Sequence, residues 1–158
     1  MDNSSLIKEL ASFLREDQLL TSDEDLSVYA FDGTAMLHNR PACVVLPERG
    51  EEVAQILALC NKKAVPVVAR GSGTGLAGGA VPSEGGVVLC LVRLNKIIEL
   101  DAANLVMVCE PGVLTQKVAD EALAAGLFYP PDPGSIKIST IGGNVANNSG
   151  GLRGLKYG

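Results

Sequence analysis

Apolar positions mark out a helix at the start of the chain. Within Ser4–Leu20 they recur at helical spacing behind two cap-competent serines, which predicts an amphipathic helix over this range. Residues 21–40 are polar and irregular, with a helical turn predicted over Asp23–Tyr29, and this stretch ends at Pro41. Residues 1–40 are therefore expected to form a helical leader ahead of the main domain.

A strand, a helix and a second strand follow the leader. The apolar run Ala42–Leu46 predicts the first strand, Glu51–Lys63 carries its apolar residues on one helical face, and Val65–Ala69 is apolar again. Runs that are apolar at nearly every position suit strands covered on both faces, and a β-α-β unit joins parallel strands by a right-handed crossover. The sequence thus predicts a small parallel β-α-β subdomain.

The second half of the chain predicts a different kind of sheet. Further strands are predicted over Gly86–Leu94, Ile97–Asp101 and Leu105–Cys109, and their local pairing is expected to be antiparallel because turn residues separate the last two. Leu114–Ala125 fits a helix that Gly126 ends. The expected fold is therefore α+β (α/β), with the parallel subdomain followed by a mixed or antiparallel sheet subdomain.

Two irregular stretches complete the pattern. Residues 130–134 contain three prolines and predict no regular structure, and the glycine-rich residues 142–158 are turn-forming sequence with no closing strand or helix after Tyr157. The domain is therefore expected to be truncated at its C-terminal end.

Composition and charge exclude several classes of protein and partner. The chain is 47% apolar and 20% charged, which excludes disordered and low-complexity classes. Its formal charge of −5 disfavours nucleic acid and anionic membrane surfaces, which both bind basic faces. No run approaches the ~18 apolar residues of a membrane span. The four cysteines stand in apolar runs without CxxC spacing, so they are expected to be reduced core residues.

The first candidate for chemistry is a glycine-rich loop, RGSGTGLAGGAVP, at residues 70–82. Its glycines match GxGxxG, but a Rossmann site needs this pattern to open a helix, and the later glycines and Pro82 break one. Alternate glycines let backbone N–H groups converge on an anion, with hydroxyls at Ser72 and Thr74 and a cation at Arg70. Phosphate binding and a plain tight connection between strands both fit this spacing.

The second candidate is the stretch Pro130–Gly151. It joins a rigid proline segment to two Gly-Gly pairs separated by three asparagines, whose amides both donate and accept and so suit the edge of an isoalloxazine or a purine. Residues 137–158 hold three basic residues, Lys137, Arg153 and Lys156, and no acid. Such a field suits an anionic ligand, with solvated loop cations as the alternative.

The two motifs together resemble a known family. RGSGTGLAGGAVP followed by PDPGSIKISTIGGNVANNSGGLRGLKYG resembles the FAD-binding domain of FAD-linked oxidases of the vanillyl-alcohol oxidase and p-cresol methylhydroxylase (PCMH) type. Within that family the chain is most similar to the D subunit of glycolate oxidase and to D-lactate and D-2-hydroxyglutarate dehydrogenases. The resemblance covers residues 41–158 and implies an incomplete PCMH-type FAD-binding domain, with the substrate domain absent.

The resemblance also implies how FAD is held. The amides of the first loop wrap the pyrophosphate, and the second motif lines the flavin ring and the rest of the dinucleotide. Members that attach FAD covalently commonly carry a histidine where this chain has Thr74, so non-covalent FAD is implied. The implied cofactor-binding residues are Arg70, Gly71, Ser72, Gly73, Thr74, Gly75, Leu76, Gly79 and Ala80 in the first loop, and Pro131, Gly134, Ser135, Ile141, Gly142, Gly143, Asn144, Ala146, Gly150 and Gly151 in the second motif.

By the same resemblance, the parent enzyme oxidises a small 2-hydroxy acid such as glycolate or D-lactate to the 2-oxo acid, and the substrate binds only with the missing domain. Partner subunits of a glycolate-oxidase-like complex are a further implication, and the expected location is cytoplasmic, either free or at the membrane periphery through those subunits. No catalytic residue and no metal ligand is predicted, and His38 is not expected to act as a base. The isolated chain is therefore expected to lack turnover. The alternative is a truncated or split-subunit FAD-binding module without activity of its own.

Overall fold

A four-stranded sheet organises the first half of the chain. The computed structural model describes residues 3–34 and 36–157, and these divide after Arg93 into two compact units. In chain order the elements of the first unit are helix α1 (Ser4–Ala11), a 3-10 turn (Glu16–Gln18), strand β1 (Leu19–Leu20), helix α2 (Asp23–Val28), strand β2 (Cys43–Val45), helix α3 (Gly50–Lys62), strand β3 (Val67–Arg70) and strand β4 (Val87–Cys90).

Strand β4 is a central strand of this sheet, whose order is β1-β2-β4-β3. It pairs in parallel with β2 and with β3, so that Val87 lies opposite Cys43 on one side and Val67 on the other. The predicted β-α-β unit is confirmed in that α3 joins the parallel strands β2 and β3, but these two strands do not pair directly because β4 lies between them. The antiparallel pairing expected for the strand over Gly86–Leu94 is wrong, because β4 is apolar and buried at every position and so suits a strand covered on both faces.

The leading helix is shorter than the sequence predicts. It ends at Ala11, and the two leucines of β1 pair antiparallel with β2 at the edge of the sheet. The buried Gln18 side chain turns the chain onto the sheet, since it accepts a hydrogen bond from the Arg15 N–H at 3.0 Å and donates one to the Leu46 carbonyl at 3.3 Å. The continuous helix predicted over Ser4–Leu20 is therefore wrong beyond Ala11, whereas the later helical turn is confirmed as α2.

The sheet buries apolar side chains on both faces. On one face α1 and α3 cover the sheet, and on the other face α2 covers it through Leu26. Apolar area removed from water is the main source of folding free energy, so these two layers hold the unit together. The first layer consists of Leu6, Leu10, Leu14, Cys43, Val45, Ile56, Cys60, Val87 and Leu89, and the second of Leu26, Val44, Leu46, Val88 and Cys90.

Three of the four cysteines confirm the prediction of reduced core residues. Cys43, Cys60 and Cys90 are buried, Cys109 is half-buried, and all four are free thiols. Burial raises the pKa of Cys43 to about 12 and also raises the pKa of Cys60 and of Cys90. These thiols are therefore protonated at neutral pH and behave as small apolar side chains.

Among the described residues, no helix is long and apolar enough to cross a bilayer.

The second unit contains a hairpin and three helices. Strands β5 (Ile97–Asp101) and β6 (Val106–Cys109) pair antiparallel as predicted, and helix α4 (Thr115–Ala124) follows. Gly126 lies just beyond α4 with a φ of +74°, the left-handed conformation that ends helices and favours glycine. Helices α5 (Ile141–Ala146) and α6 (Gly154–Tyr157) complete the unit.

The expectation that residues 142–158 lack regular structure is wrong. Helix α5 forms despite Gly142 and Gly143 in its first turn, because the turn before α4 supplies acceptors for its N–H groups. Ile141 donates to the Val113 carbonyl at 2.8 Å and Gly142 donates to the Pro111 carbonyl at 2.9 Å. A β-carbon at Gly142 would lie 2.7 Å from the Pro111 side chain, so only glycine fits there. A tertiary contact thus overrides weak helix propensity.

A buried carboxylate fastens the start of α3 to the end of the 3-10 turn. Glu52 accepts hydrogen bonds from the Glu48 N–H at 2.8 Å, from Gln18 Nε2 at 2.9 Å and from the Arg49 guanidinium at 2.8 and 3.0 Å. Burial alone raises the pKa of Glu52, but the hydrogen bonds from Glu48, Arg49 and Gln18 outweigh burial, so the pKa lies below its ordinary value. Glu52 is therefore ionised at neutral pH.

Replacing Glu52 by glutamine is expected to lower the free energy of unfolding by about 1–3 kcal/mol at pH 7, because charge-assisted hydrogen bonds are lost. The folded pKa is depressed, so this contribution is fully present above the unfolded pKa of about 4.3 and is lost as the pH falls through the folded value. Urea unfolding at several pH values checks this, with the exposed neighbour Glu51→Gln as a control expected within about 0.5 kcal/mol of wild type. A difference that stays constant down to pH 3 would contradict the role of the charge.

Candidate functional site

The glycine loop, residues 71–82, leaves the sheet at the carboxyl end of β3. Strands β2, β4 and β3 are parallel, so this edge is the one at which open α/β sheets bind ligands. No helix begins within the loop, which agrees with the exclusion of a Rossmann site on sequence grounds. The loop instead runs as successive bends, with positive φ of +73° at both Gly73 and Gly78.

Arg70 ends β3 and lies beneath the glycine loop. Although charged, it is only 8% exposed. Its Nη1 donates to the Phe31 carbonyl at 2.6 Å, and its guanidinium lies 5.4 Å from the ring centroid of Tyr29. A β-carbon at Gly73 would overlap Arg70 Nη2, so the guanidinium packs directly against the Gly73 backbone. The predicted local cation, Arg70, is thus buried against the loop and contacts Phe31 and Tyr29.

The backbone N–H groups of the loop differ in whether they donate to another residue of the protein. The N–H groups of Gly78 and Ala80 are engaged, by Thr34 Oγ1 at 2.9 Å and by Asp32 Oδ2 at 3.4 Å. By contrast, the consecutive N–H groups of residues 73–76 donate to no residue in the described ranges 3–34 and 36–157. Four consecutive donors beside a buried guanidinium suit an anion with several oxygens, such as a phosphate, and we call residues 73–76 the cradle.

Two residues of the leader that support this loop are not indicated by the sequence. Asp32 and Thr34 lie in the polar stretch before the first core strand, yet Asp32 is 6% exposed and both side chains accept hydrogen bonds from the loop. The one local signal is the Asp32-Gly33 pair, which is typical of a turn and says nothing about a distant loop. Their role depends on a contact across more than forty residues of sequence.

In the second unit, the proline segment and the second Gly-Gly pair lie side by side. Asp132 donates its N–H to the Gly150 carbonyl at 3.1 Å, and Leu152 donates to the Asp132 carbonyl at 3.2 Å. Gly151 has a φ of +69°, and a β-carbon there would overlap the Asp132 backbone carbonyl. The two ends of the second predicted motif are therefore in direct contact, which the sequence did not show.

A buried hydrogen-bond network joins α4 to the middle of the second motif. Thr115 Oγ1 donates to the Ser139 carbonyl at 3.0 Å and lies 2.9 Å from the Ser139 hydroxyl, and Asn144 Nδ2 donates to Thr115 Oγ1 at 2.5 Å. The Asn144 amide thus donates into the fold, and Asn147 Nδ2 donates back to the Gly143 carbonyl at 2.9 Å. Both asparagine side chains therefore already donate hydrogen bonds within the protein.

The basic residues of the second motif differ in their surroundings. Arg153 Nη1 lies 3.6 Å from Asp132 Oδ2, and its guanidinium lies 5.1 Å from the Phe128 ring centroid. Lys156 Nζ lies 4.8 Å from the Tyr157 ring centroid, and Lys137 is exposed. The remaining predicted residues, Pro131, Ser135, Ile141, Gly142, Gly143 and Gly150, are half-buried, whereas Gly134 and Ala146 are exposed.

Comparison with known proteins agrees with these two motifs. Residues 41–158 match the family model described as the FAD binding domain. The chain is 50% identical over 131 residues to the glycolate oxidase subunit GlcD of Bacillus subtilis, covering 83% of this chain and 28% of that protein. It is 44% identical over 142 residues to the D-lactate dehydrogenase of Anaerostipes hadrus, covering 89% of this chain and 30% of that protein. The chain therefore spans less than a third of either relative.

A solved structure confirms the predicted fold class. The crystal structure of p-cresol methylhydroxylase with substrate bound matches with a TM-score of 0.78 at 24% identity, covering 89% of this chain and 28% of that one. At this identity the likeness concerns the fold, which is the PCMH type.

Replacing Gly151 by alanine is expected to cost about 2–4 kcal/mol of unfolding free energy, because left-handed strain adds to an overlap with the Asp132 backbone. Gly126→Ala is the matched control, since Gly126 has a φ of +74° but no atom near its missing β-carbon. It is expected to cost about 1 kcal/mol. Urea unfolding of both variants checks the difference, and equal losses would refute the close approach at Gly151.

Proposed function

The chain belongs to the FAD binding domain family, and from this we propose that it is the FAD-binding part of a flavin-dependent oxidoreductase that converts a small 2-hydroxy acid, of the glycolate or D-lactate kind, to the 2-oxo acid. The observation that carries the proposal is the run of backbone N–H groups at residues 73–76, which donate to no residue that the structure describes, beside the buried Arg70. The names of the two relatives, a glycolate oxidase subunit and a D-lactate dehydrogenase, support the substrate class.

The first loop fits the pyrophosphate of FAD. A diphosphate presents several anionic oxygens, and consecutive backbone N–H groups can meet them without a side chain intervening. Gly73 and Gly75 carry no β-carbon, so the backbone can approach such a group closely. We propose that the contacts come from Gly71, Ser72, Gly73, Thr74, Gly75, Leu76 and Gly79, with Arg70 supplying positive charge from beneath and Ala80 bounding the loop.

The second motif is proposed to contact the flavin part of the cofactor. Gly134 is exposed, and the Asn144 Nδ2 donor is used within the fold. We therefore expect the backbone of this motif to do more of the binding than its asparagine side chains. The residues proposed are Pro131, Gly134, Ser135, Ile141, Gly142, Gly143, Asn144, Ala146, Gly150 and Gly151.

When bound, FAD would supply the hydride-accepting chemistry, and the residues of this chain would bind and orient it. Asp32 is buried with its oxygens engaged by N–H groups, and His38 pairs through its backbone with Phe31, so neither is proposed as a general base. Substrate binding and proton abstraction are assigned to a part of the enzyme outside these residues. Thr74 stands where covalent members of the family carry histidine, so FAD is proposed to be held non-covalently.

The wider setting is also a proposal. We take residues 1–40 as a leader and residues 41–158 as the FAD-binding domain. Because one relative is named as a subunit of glycolate oxidase, partner subunits of such a complex are proposed for the parent enzyme. Four free thiols in apolar surroundings suit a reducing compartment, which supports a cytoplasmic location.

The purified protein is expected to bind FAD reversibly and to release it on acid denaturation. The measurement is flavin absorbance and fluorescence after addition of FAD, followed by a search for flavin in the supernatant of acid-precipitated protein. FMN, which lacks the pyrophosphate-linked adenosine, is expected to bind at least about tenfold more weakly. Flavin that stays with the precipitate would contradict non-covalent binding, and NAD protecting against unfolding where FAD does not would contradict the proposed cofactor.

Gly73→Ala is expected to weaken FAD binding by at least about tenfold, because the new β-carbon displaces Arg70 and narrows the cradle. Gly85→Ala is the control, since Gly85 has a similar φ of +69° but open space around its missing β-carbon. Its FAD affinity is expected to stay within about twofold of wild type. Titration of the folded variants with FAD measures both. Equal FAD affinities of the two variants would contradict the proposal that the cradle binds FAD.

A further inference from the structure

A short segment of the leader, residues 29–34, contacts Arg70 and the glycine loop. We call residues 29–34 the clasp. Its Phe31 carbonyl accepts a hydrogen bond from Arg70 at 2.6 Å, its Thr34 hydroxyl accepts one from the Gly78 N–H at 2.9 Å, and its Asp32 carboxylate accepts one from the Ala80 N–H at 3.4 Å. The clasp therefore contacts Arg70, just before the loop, and the loop itself at Gly78 and Ala80.

Gly33 completes the fit between the two segments. A β-carbon at Gly33 would lie 2.8 Å from the Gly75 carbonyl oxygen and 2.8 Å from the Leu76 side chain. The backbones of clasp and loop are thus as close as glycine allows. The clasp precedes residue 41, where the match to the FAD binding domain family begins. Its contribution to the site is an observation of the structure alone.

Asp32 is a buried charge that the apolar core does not explain. It belongs to neither apolar layer of the sheet, and it accepts from the Thr34 N–H at 2.8 Å as well as from Ala80. Burial alone raises the pKa of Asp32, but hydrogen bonds from Thr34 and Ala80 and the charge of Arg70 outweigh burial and leave the pKa below its ordinary value. Hydrogen bonds from donors of the loop and the clasp thus offset the free-energy cost of burying the ionised carboxylate.

The clasp engages two backbone donors of the loop and leaves others for a ligand. Thr34 and Asp32 engage the N–H groups of Gly78 and Ala80, whereas the N–H groups of residues 73–76 donate to no described residue. A carboxylate oxygen of Asp32 would lie 3.9 Å from a β-carbon at Gly75, so Asp32 lies close to the cradle. Asp32 thus binds one limb of the loop and holds the other limb in place.

We propose that Asp32 is a positioning residue of the FAD site, which keeps the cradle open for the pyrophosphate through the clasp and does not touch the cofactor itself. This inference rests on the proposed function. It predicts a change in FAD affinity that is opposite in direction to the change that charge alone would produce. Removing a negative charge from behind an anion site should tighten anion binding if charge alone mattered, whereas loss of a positioning acceptor should weaken it.

The test is FAD titration of Asp32→Asn, which keeps the shape of the side chain but offers one acceptor oxygen and adds an N–H₂ group facing backbone donors. The expected result is FAD affinity at least about fivefold weaker than wild type. Glu52→Gln is the matched control, because Glu52 is also a buried carboxylate held by a backbone N–H and an arginine, but its partners are Gln18, Glu48 and Arg49, away from the loop. Its folded form is expected to bind FAD like wild type.

A second pair of variants keeps the inference testable if Asp32→Asn does not fold. Thr34→Val removes the acceptor for the Gly78 N–H and is expected to weaken FAD binding, while Thr34→Ser retains the hydroxyl and is expected to restore it. Affinity for FAD that is unchanged or tighter in Asp32→Asn, or equal in the two Thr34 variants, would overturn the inference. Failure of wild type itself to bind FAD would instead overturn the proposed function.

Discussion

Parallel pairing of β4 with both β2 and β3 is the constraint on which the first unit depends. Because all three strands point the same way, their carboxyl ends meet at one edge of the sheet, and β3 reaches that edge at Arg70. The glycine loop has to start there, beside the end of a fully buried strand.

Buried charged side chains add directional hydrogen bonds that apolar packing cannot supply. Arg70 and Asp32 are both nearly inaccessible to water, and each is compensated by groups of the leader or of the loop. Glu52 plays a similar part at the start of α3. A buried ion is costly unless every partner is in place, so these groups favour one arrangement of the surrounding loops over others. The leader is thus tied to the loop by hydrogen bonds that have defined direction.

The second unit uses its unusual residues largely for its own fold. Gly142 lets α5 approach Pro111, Gly151 lets the chain pass against Asp132, and Asn144 joins α5 to α4 through Thr115. A motif that resembles a cofactor site can therefore be constrained by structure at the same positions. The close approach of backbones that excludes a β-carbon inside the fold is the same property that would let a ligand approach from outside.

The sequence by itself determined the elements whose signals are local. Apolar runs and helical spacing predicted β2, α3 and β3, turn residues predicted the β5–β6 hairpin, Gly126 marked the end of α4, and helix-breaking residues excluded a Rossmann site. Tertiary structure decided the rest. The edge strand β1 depends on pairing with β2, α5 depends on acceptors that the turn at Pro111 supplies, and the support of the glycine loop by Asp32 depends on a contact with Ala80. Each of these forms through partners distant in sequence, so no pattern of neighbouring residues could indicate it.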